Sequence, residues 1–279
     1  LLPYQKNDFY RILKTMSPLP VTIRLLDPPL HEFLPSQKNE KLIKDLAIEM
    51  RVSPKIIINR IIDLFEINPM LGHRGCRLAI SYPEITQMQV EAILMATMKL
   101  IKEGKDPRPE IMIPLVSGPN EFIHQRNLVK QIAKKIENEN KIKINYKIGT
   151  MIELPRACLT ADQIAKEADF FSFGTNDLTQ TTFGFSRDDI GSFIQHYFDN
   201  NILKEDPFKT IDINGVGQLI KDAVLKGRKS KPKLKIGICG EHGGDPKSIK
   251  FCGEIGLNYV SCSPYRIPIA RLSAAKNCI

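Results

Sequence analysis

Two neighbouring segments constrain the fold of this chain more than any other feature. Residues 149–153 and 170–177 are apolar, strand-like runs, and each ends in a carboxylate, at Glu153 and Asp177. A short helical stretch separates them, at the spacing of a parallel β–α–β unit. Because neighbouring parallel strands end at the same edge of a sheet, we expect the two carboxylates to lie side by side.

Carboxylates brought together beyond strand ends usually share a hard cation. Taken alone, Glu153 or Asp177 has the more ordinary interpretation of a helix N-cap or a solvated acid. Because the two carboxylates are expected side by side at one edge of the sheet, we favour a shared cation over these ordinary roles. The sequence therefore predicts a divalent cation held jointly by the two side chains.

Strand-like runs alternate with helical patterns along the whole chain. We count seven strand–helix units with near-continuous apolar strands, which is typical of a parallel sheet covered on both faces. The strands are expected at residues 21–27, just before 68, and at 110–116, 146–153, 170–177, 235–241 and 259–263. The main rival is a doubly wound open sheet, but the sequence has neither its Gly-x-Gly-x-x-Gly turn nor a phosphate-binding loop.

Polar residues cluster where the predicted strands end. A barrel brings all of these ends to one mouth, whereas an open sheet would spread them along a line. The residues are Arg24, Arg74, Glu153, Asn176, Asp177 and Cys239. We therefore predict an α/β fold of the (β/α)8 TIM type, formed by residues 1–279 as a single domain.

Arg24 and Arg74 are expected to end the first two strands. A guanidinium group stays charged and matches carboxylate or phosphate oxygens with a planar fork of donors. Two such groups beside a metal suit a small molecule that carries both a carboxylate and a phosphate. The alternative is that both arginines form ordinary surface ion pairs.

Cys239 lies in a glycine-rich segment, residues 235–246, at the end of a predicted strand. A thiol at the mouth near two cations could transfer protons. A buried structural cysteine is an equally good interpretation of the residue type. His73 and His242 are interpreted as hydrogen-bonded scaffold residues rather than ligands.

Composition excludes several classes of protein. The net charge is +9, but the basic segments at 130–147 and 226–235 contain no nucleic-acid reader motif, and we interpret them as the exposed side of a helix and a loop. No apolar run approaches the roughly 20 residues that cross a bilayer. The six cysteines form no Cys-x-x-Cys pair, which favours a reducing, intracellular compartment, most simply the cytoplasm, with an organelle still open. Neither a nucleic acid nor a membrane is an expected partner.

The motifs resemble a known family over essentially the whole chain. The chain is similar to the C-terminal phosphoenolpyruvate/pyruvate-binding barrel of the pyruvate, phosphate dikinases, which belong to the phosphoenolpyruvate-utilising enzymes. The resemblance rests on RLLDPPLHEF (24–33), GHRGCR (72–77), GTMIE (149–153), FGTNDLTQ (173–180), CGEHGGDP (239–246) and VSCSP (260–264).

The resemblance implies a phosphotransferase domain that interconverts pyruvate and phosphoenolpyruvate. In such a domain a phosphoryl group is exchanged with a phosphohistidine on a separate domain, through a Mg²⁺-bound enolpyruvate. The resemblance also implies that Glu153 and Asp177 ligate Mg²⁺ and that Cys239 protonates the methylene carbon. The implied substrate-binding residues are Arg24, Arg74, Glu153, Gly174, Thr175, Asn176 and Asp177.

The resemblance further implies partners outside this chain. The phosphohistidine and ATP-binding domains of the family have no counterpart here, so we expect a C-terminal fragment that cannot run the full reaction alone. The family barrel also has a strand upstream of this chain, so we expect a barrel that lacks its first strand. A homodimer through this domain is expected as well.

Three other functions remain open at the level of the sequence. One is a phosphoenolpyruvate synthase-type enzyme, and another is a Mg²⁺-dependent lyase or aldolase acting on a pyruvate enolate. The third is a non-catalytic ligand-sensing or dimerisation domain. For that last function, residues 263–271 mix apolar side chains with arginine and could form an interface.

Overall fold

A computed structural model describes residues 1–66 and 68–276 of the chain. These residues form an α/β structure built on one parallel sheet. Among the helices in these ranges, none combines the length and the apolar character that a membrane span requires.

The sheet has six strands, and their spatial order is the same as their order in the sequence. Each strand pairs in parallel with the next. The strands are β1 (Pro20–Arg24), β2 (Arg108–Ile113), β3 (Lys147–Ile152), β4 (Phe170–Gly174), β5 (Lys235–Cys239) and β6 (Tyr259–Val260). This curled sheet forms part of a TIM-type barrel, which confirms the predicted fold class.

Thirteen α-helices lie within the described ranges, and most of them connect consecutive strands. They are α1 (Leu2–Met16), α2 (Glu40–Met50), α3 (Pro54–Asp63), α4 (Gly75–Ser81), α5 (Pro83–Lys102), α6 (Pro119–Asn140), α7 (Pro155–Leu159), α8 (Ala161–Glu167), α9 (Thr175–Phe183), α10 (Ile194–Asp199), α11 (Val216–Ser230), α12 (Pro246–Glu254) and α13 (Ile267–Lys276). Several begin with proline, whose missing N–H is not needed in the first turn.

The two faces of the sheet have different environments. Phe171 and Phe173 point outwards into the main core, where they are buried with apolar residues of α6, α8 and α11. Phe170 points to the other face and packs with Met112 and Met151. All five residues of β4 are buried, because helices cover one face and the barrel interior encloses the other. The interior face carries the side chains that reach the mouth.

The helical hairpin α2–α3 is a separate small unit beside the barrel. Its own core consists of Ile43, Ala47, Ile57 and Ile61. Asn39 caps the first helix by accepting the backbone N–H of Leu42 at 3.2 Å. The hairpin lies in the long connection between β1 and β2, so it does not interrupt the sheet.

The sequence predicts one strand more than the structure contains in the described residues. In place of the strand expected before residue 68, Phe65 and Glu66 are irregular, and Ile67 lies outside the described residues. β1 pairs directly with β2, with Arg24 opposite Met112, so no strand lies between them. The Glu66 carboxylate instead accepts the backbone N–H of His73 at 2.7 Å and closes a loop.

A second correction concerns the basic segment at 226–235. It was interpreted as a loop, but residues 226–230 form the last part of α11. Gly227 is buried and faces Phe171 and Leu234, so the buried face of α11 extends into its lysine-rich C-terminal end. The positive charges therefore lie on the outer side of a helix that is packed against the sheet.

Candidate active site

A cavity of about 280 Å³ opens at the carboxyl ends of the strands. Its lining consists of Arg24, Met112, Met151, Glu153, Gly174, Thr175, Asn176, Asp177, Cys239 and Gly240. Seven of the eight site residues predicted from the sequence are in this set. The eighth, Arg74, contacts Asp177. In a barrel of this type the carboxyl ends of the strands form the usual location of an active site.

Glu153 is placed by β3 and is fully buried. Its Oε1 atom accepts the backbone N–H of Leu115 at 2.6 Å. Leu115 has a left-handed backbone conformation, with φ of 58°. The Oε2 atom is buried and has no hydrogen-bond partner among the described residues.

The pKa of Glu153 is raised to about 8, first by burial and then by the negative charges of Asp177 and Asp27. The Leu115 N–H and the Arg74 guanidinium oppose this effect. A carboxyl group in this position releases its proton more readily when a cation lies beside it. The unpartnered Oε2 atom is the position that such a cation would contact.

Gly174 separates Glu153 from α9. A Cβ atom at residue 174 would lie 2.2 Å from Glu153 Oε2 and 2.5 Å from the terminal methyl of Met151. Glycine is therefore required for the carboxylate to keep its place. The chain then enters α9, and Asp177 lies in the first turn of that helix.

Arg74 joins two acidic residues at the mouth. Its Nη1 donates to Asp177 Oδ1 at 2.9 Å, and its Nη2 donates to Asp27 Oδ2 at 2.6 Å. Burial opposes the charge of Arg74, but Asp177 and Asp27 outweigh it and raise the pKa of the guanidinium. Contrary to the prediction, Arg74 does not end a strand, because it lies in a loop and is the N-cap residue of α4.

Arg24 is the last residue of β1, as predicted. Its Nη1 donates to Asp27 Oδ2 at 3.1 Å, and 44% of its side chain is exposed. Arg74, in contrast, has only 7% of its side chain exposed. Arg24 is therefore the guanidinium with donors free to face an incoming ligand.

Thr175 and Asn176 form the start of α9. Thr175 is fully buried, and the Oδ1 atom of Asn176 is buried with no partner among the described residues. Gly240, at φ of 102°, lies against both residues, since a Cβ atom there would be 2.9 Å from Thr175 Oγ1. The first N–H groups of a helix also attract anions, so this corner suits a negatively charged group.

Cys239 ends β5 and lies between the polar and apolar sides of the cavity. Its Sγ donates to the carbonyl oxygen of Phe173 at 3.4 Å. The pKa of the Cys239 thiol is raised to about 11, mainly by burial and also by the negative charge of Glu153. At neutral pH the group is therefore a thiol, which can give a proton but is a weak nucleophile.

His73 and His242 are hydrogen-bonded inside the structure. His73 Nε2 lies 2.8 Å from Ser81 Oγ. His242 is fully buried, and both of its ring nitrogens have partners in the protein. These contacts agree with their interpretation as scaffold residues.

The donors at the mouth fit a magnesium ion. Glu153 offers an unpartnered buried oxygen, and Asp177 lines the same cavity. In residues 1–66 and 68–276, no group of three or more His, Cys, Asp and Glu side chains is arranged to hold a metal. Mg²⁺ does not need one, because it is usually held by one or two carboxylates and keeps water or substrate oxygens as its other ligands.

Sequence reasoning missed Asp27 as a member of the site. It is 5% exposed, and it accepts hydrogen bonds from Arg24 and Arg74. Its only signal in the sequence is its position inside the motif RLLDPPLHEF, three residues after Arg24. The hydrophobic wall formed by Met112 and Met151 was also missed, since methionine in a strand has no distinguishing pattern.

The fold and its mouth define a parallel α/β barrel domain with three carboxylates, two guanidinium groups and a thiol at one cavity and its border. The family model of the PEP-utilising enzyme, PEP-binding domain matches residues 2–278. The chain belongs to this family.

Among curated proteins, the chain is 57% identical to the chloroplastic pyruvate, phosphate dikinase of Mesembryanthemum crystallinum and 58% identical to chloroplastic pyruvate, phosphate dikinase 1 of Arabidopsis thaliana. Each match covers 99% of this chain and 29% of the relative. Pyruvate, phosphate dikinase 2 of Zea mays is 56% identical, over 99% of this chain and 31% of the relative. The chain thus spans less than a third of the length of these relatives.

A crystal structure of a citrate lyase from Burkholderia xenovorans LB400 also superposes on part of the chain. The TM-score is 0.44 at 13% identity, and the match covers 67% of this chain and 53% of the other.

Proposed function

We propose that this chain is the phosphoenolpyruvate- and pyruvate-binding domain of a pyruvate, phosphate dikinase. It would move a phosphoryl group between pyruvate and a phosphohistidine carried by another domain of the same polypeptide. The family membership and the identity to named dikinases support this proposal. The observation that carries it is the free, buried Glu153 Oε2 atom in a cavity that also contains Asp177, Arg24 and Cys239.

Glu153 and Asp177 are the residues that would hold Mg²⁺. The ion would supply a Lewis acid that stabilises negative charge on the substrate oxygens. Gly174 leaves the space for this arrangement, and the Leu115 N–H keeps the carboxylate of Glu153 in one orientation. The two side chains therefore need little rearrangement when the ion binds.

The arginines have different tasks in this proposal. Arg24 is half exposed and presents free donors, so it would bind the phosphoryl oxygens of phosphoenolpyruvate. Arg74 is buried and pairs with Asp27 and Asp177. It would place a permanent positive charge beside the oxygen where the enolate charge develops.

The start of α9 would bind the carboxylate end of the substrate. Gly174, Thr175 and Asn176 line the cavity there. The helix N-terminus favours an anion, and Asn176 lines the cavity beside it.

Cys239 would transfer the proton. When the phosphoryl group leaves the enol oxygen for the histidine nitrogen, the electron pair of the broken P–O bond remains as an enolate. The C3 carbon then takes the thiol proton and becomes the methyl group of pyruvate. In the reverse direction the thiolate removes that proton. A thiol with a pKa of about 11 is a suitable donor to this carbon at neutral pH.

Several features of the whole protein belong to the same proposal. Residues 1–279 act as one domain, and the phosphohistidine and ATP sites lie on other domains. The polypeptide is a homodimer in an intracellular compartment. The names of two relatives place those proteins in chloroplasts. The short share of the relatives that this chain spans supports the assignment of the other activities to other domains.

The test is solvent exchange of the pyruvate methyl protons in the full-length polypeptide, followed by ¹H NMR in D₂O. We expect exchange that depends on Mg²⁺ and stops when a chelator is added. Cys239→Ala should abolish exchange and still bind oxalate, an enolate mimic. Glu153→Gln and Asp177→Asn should lose both exchange and oxalate binding.

Three results would contradict the proposal. Unchanged exchange in Cys239→Ala would remove the thiol from the mechanism. Mg²⁺ binding without any exchange in the wild-type protein would instead favour a ligand-sensing domain. Carbon–carbon cleavage of a 2-oxo acid by the wild-type protein would favour a lyase or aldolase.

A further inference from the structure

A chain of buried hydrogen bonds connects the start of α9 to a loop behind the site. His242 Nδ1 lies 2.7 Å from Thr175 Oγ1, and His242 Nε2 lies 2.9 Å from the carbonyl oxygen of Pro207. Thr175 Oγ1 is also 3.1 Å from the carbonyl oxygen of Cys239. His242 and Thr175 are both fully buried, so water cannot replace these contacts.

The proton positions in this chain follow from the available donors. A carbonyl oxygen can only accept, so His242 Nε2 must carry the proton that faces Pro207. Burial lowers the pKa of His242, which leaves the ring neutral and Nδ1 without a proton. The single proton between Thr175 and His242 is then the hydroxyl proton of Thr175.

The Thr175 hydroxyl has two possible hydrogen-bond acceptors. The Thr175 hydroxyl has one proton, and both Nδ1 at 2.7 Å and the Cys239 carbonyl oxygen at 3.1 Å are within reach. The neutral ring takes it at the shorter distance.

We propose that His242 is a positioning residue that fixes the Thr175 hydroxyl and, through it, the first turn of α9. This inference rests on the proposed function, because that turn carries Asn176 and Asp177 to the substrate and the metal. His242 does not touch the cavity and acts only through Thr175. It lies in a 3-10 turn, Glu241–Gly244, directly after Gly240, so the same loop borders the site and fixes the helix behind it.

Two isosteric substitutions separate the two hydrogen bonds of the ring. In His242→Asn the side-chain oxygen lies where Nδ1 was, so it can still accept from Thr175. In His242→Gln the side-chain amide reaches the position of Nε2 and can still donate to Pro207, but the acceptor at Nδ1 is lost and the Thr175 hydroxyl is left with the Cys239 carbonyl oxygen at 3.1 Å. A purely structural histidine would tolerate or reject both changes alike.

The experiment measures kcat/KM for phosphoenolpyruvate in the full-length polypeptide with its complete set of substrates. We expect His242→Gln to lose about tenfold, the effect of one lost hydrogen bond, and His242→Asn to lose less than about threefold. Thr175→Val should lose about tenfold as well, while Thr175→Ser keeps most activity. The double variant His242→Gln, Thr175→Val should lose no more than Thr175→Val alone.

Equal losses in His242→Asn and His242→Gln would overturn the inference, and so would additive losses in the double variant. If His242→Gln does not fold, the Thr175→Val and His242→Asn variants test the inference. Retained activity in Thr175→Val, or a tenfold loss in His242→Asn, would then show that the hydrogen bond has no positioning role. Failure of the wild-type protein to convert phosphoenolpyruvate would refute the proposed function instead.

Discussion

Gly174 lies directly against Glu153, and a Cβ atom at residue 174 would be only 2.2 Å from Glu153 Oε2. We therefore expect Gly174→Ala to displace the carboxylate and to weaken Mg²⁺ binding by more than about tenfold. Isothermal titration with MgCl₂ in the full-length polypeptide measures the effect. Gly191→Ala is the matched control, because a Cβ atom there would have no neighbour within 4 Å. Equal Mg²⁺ affinities in the two variants would contradict the metal site.

Asp27 holds the buried Arg74 and the half-exposed Arg24 at the same time. Asp27→Asn leaves Arg74 with one acidic partner in a buried position, so we expect the free energy of unfolding to fall by about 2–3 kcal/mol. Urea denaturation followed by circular dichroism measures it. Asp106→Asn is the control, since its pair with Arg108 is about half exposed and should contribute less than about 1 kcal/mol. Losses of the same size in both variants would show that burial of the Asp27 pair is unimportant.

The Cys239 thiol should react slowly with iodoacetamide in the folded protein. Burial disfavours the thiolate and contributes to a pKa of about 11. The alkylation rate of the native protein should therefore rise at a higher pH than the rate of the unfolded chain. Between pH 7 and 9 the native rate should rise about tenfold for each pH unit and stay well below the rate in urea. Mass spectrometry of the Cys239 peptide measures both rates. A native rate at pH 7.5 that equals the rate in urea would mean that the thiol is already ionised in the site.

Two buried glutamates at opposite ends of the sheet should behave in opposite ways. Glu110 lies at the amino-terminal end, where it accepts from Lys235 at 2.8 Å and from Thr22 at 2.8 Å. Glu110→Gln should lower the free energy of unfolding by about 2 kcal/mol and leave Mg²⁺ affinity unchanged. Calorimetry and urea denaturation of the same samples give both quantities.

Glu153→Gln is the counterpart of that variant. Its side-chain oxygen can still accept the Leu115 N–H, and the substitution replaces a carboxyl group whose charged form is disfavoured by burial, Asp177 and Asp27. We expect Mg²⁺ binding to be lost while the stability stays the same or increases. A large loss of stability in Glu153→Gln would mean that the carboxylate serves the fold rather than the site.

The strand ends were the most predictable part of this molecule. Apolar runs that finish in Arg24, Glu153 and Cys239 gave both the strand positions and the direction of their last side chains, because alternation in a strand is a local property. The sequence also predicts Asp177 at the end of a strand, but β4 ends at Gly174 and the first turn of α9 places Asp177 instead. These four residues line one cavity, as a barrel requires.

Features that depend on distant partners could not be predicted. The short apolar run after α3 has the composition of a strand, but β1 and β2 pair directly and leave no place for it. Asp27 and His242 have important contacts only because residues 47 and 67 positions away fold against them. Local patterns carry no information about such contacts.

Glu153 is held by the backbone N–H of Leu115, and this has a consequence for how the site can evolve. The group that holds the carboxylate is a main-chain amide, which has no charge to lose and cannot be deleted by exchanging one side chain for another. Proline is the single standard residue that would remove it. Variation at position 115 is therefore limited by packing against Gly75 and by the left-handed backbone conformation there. The hydrogen bond to the Glu153 carboxylate is kept with every residue except proline, because the backbone supplies it.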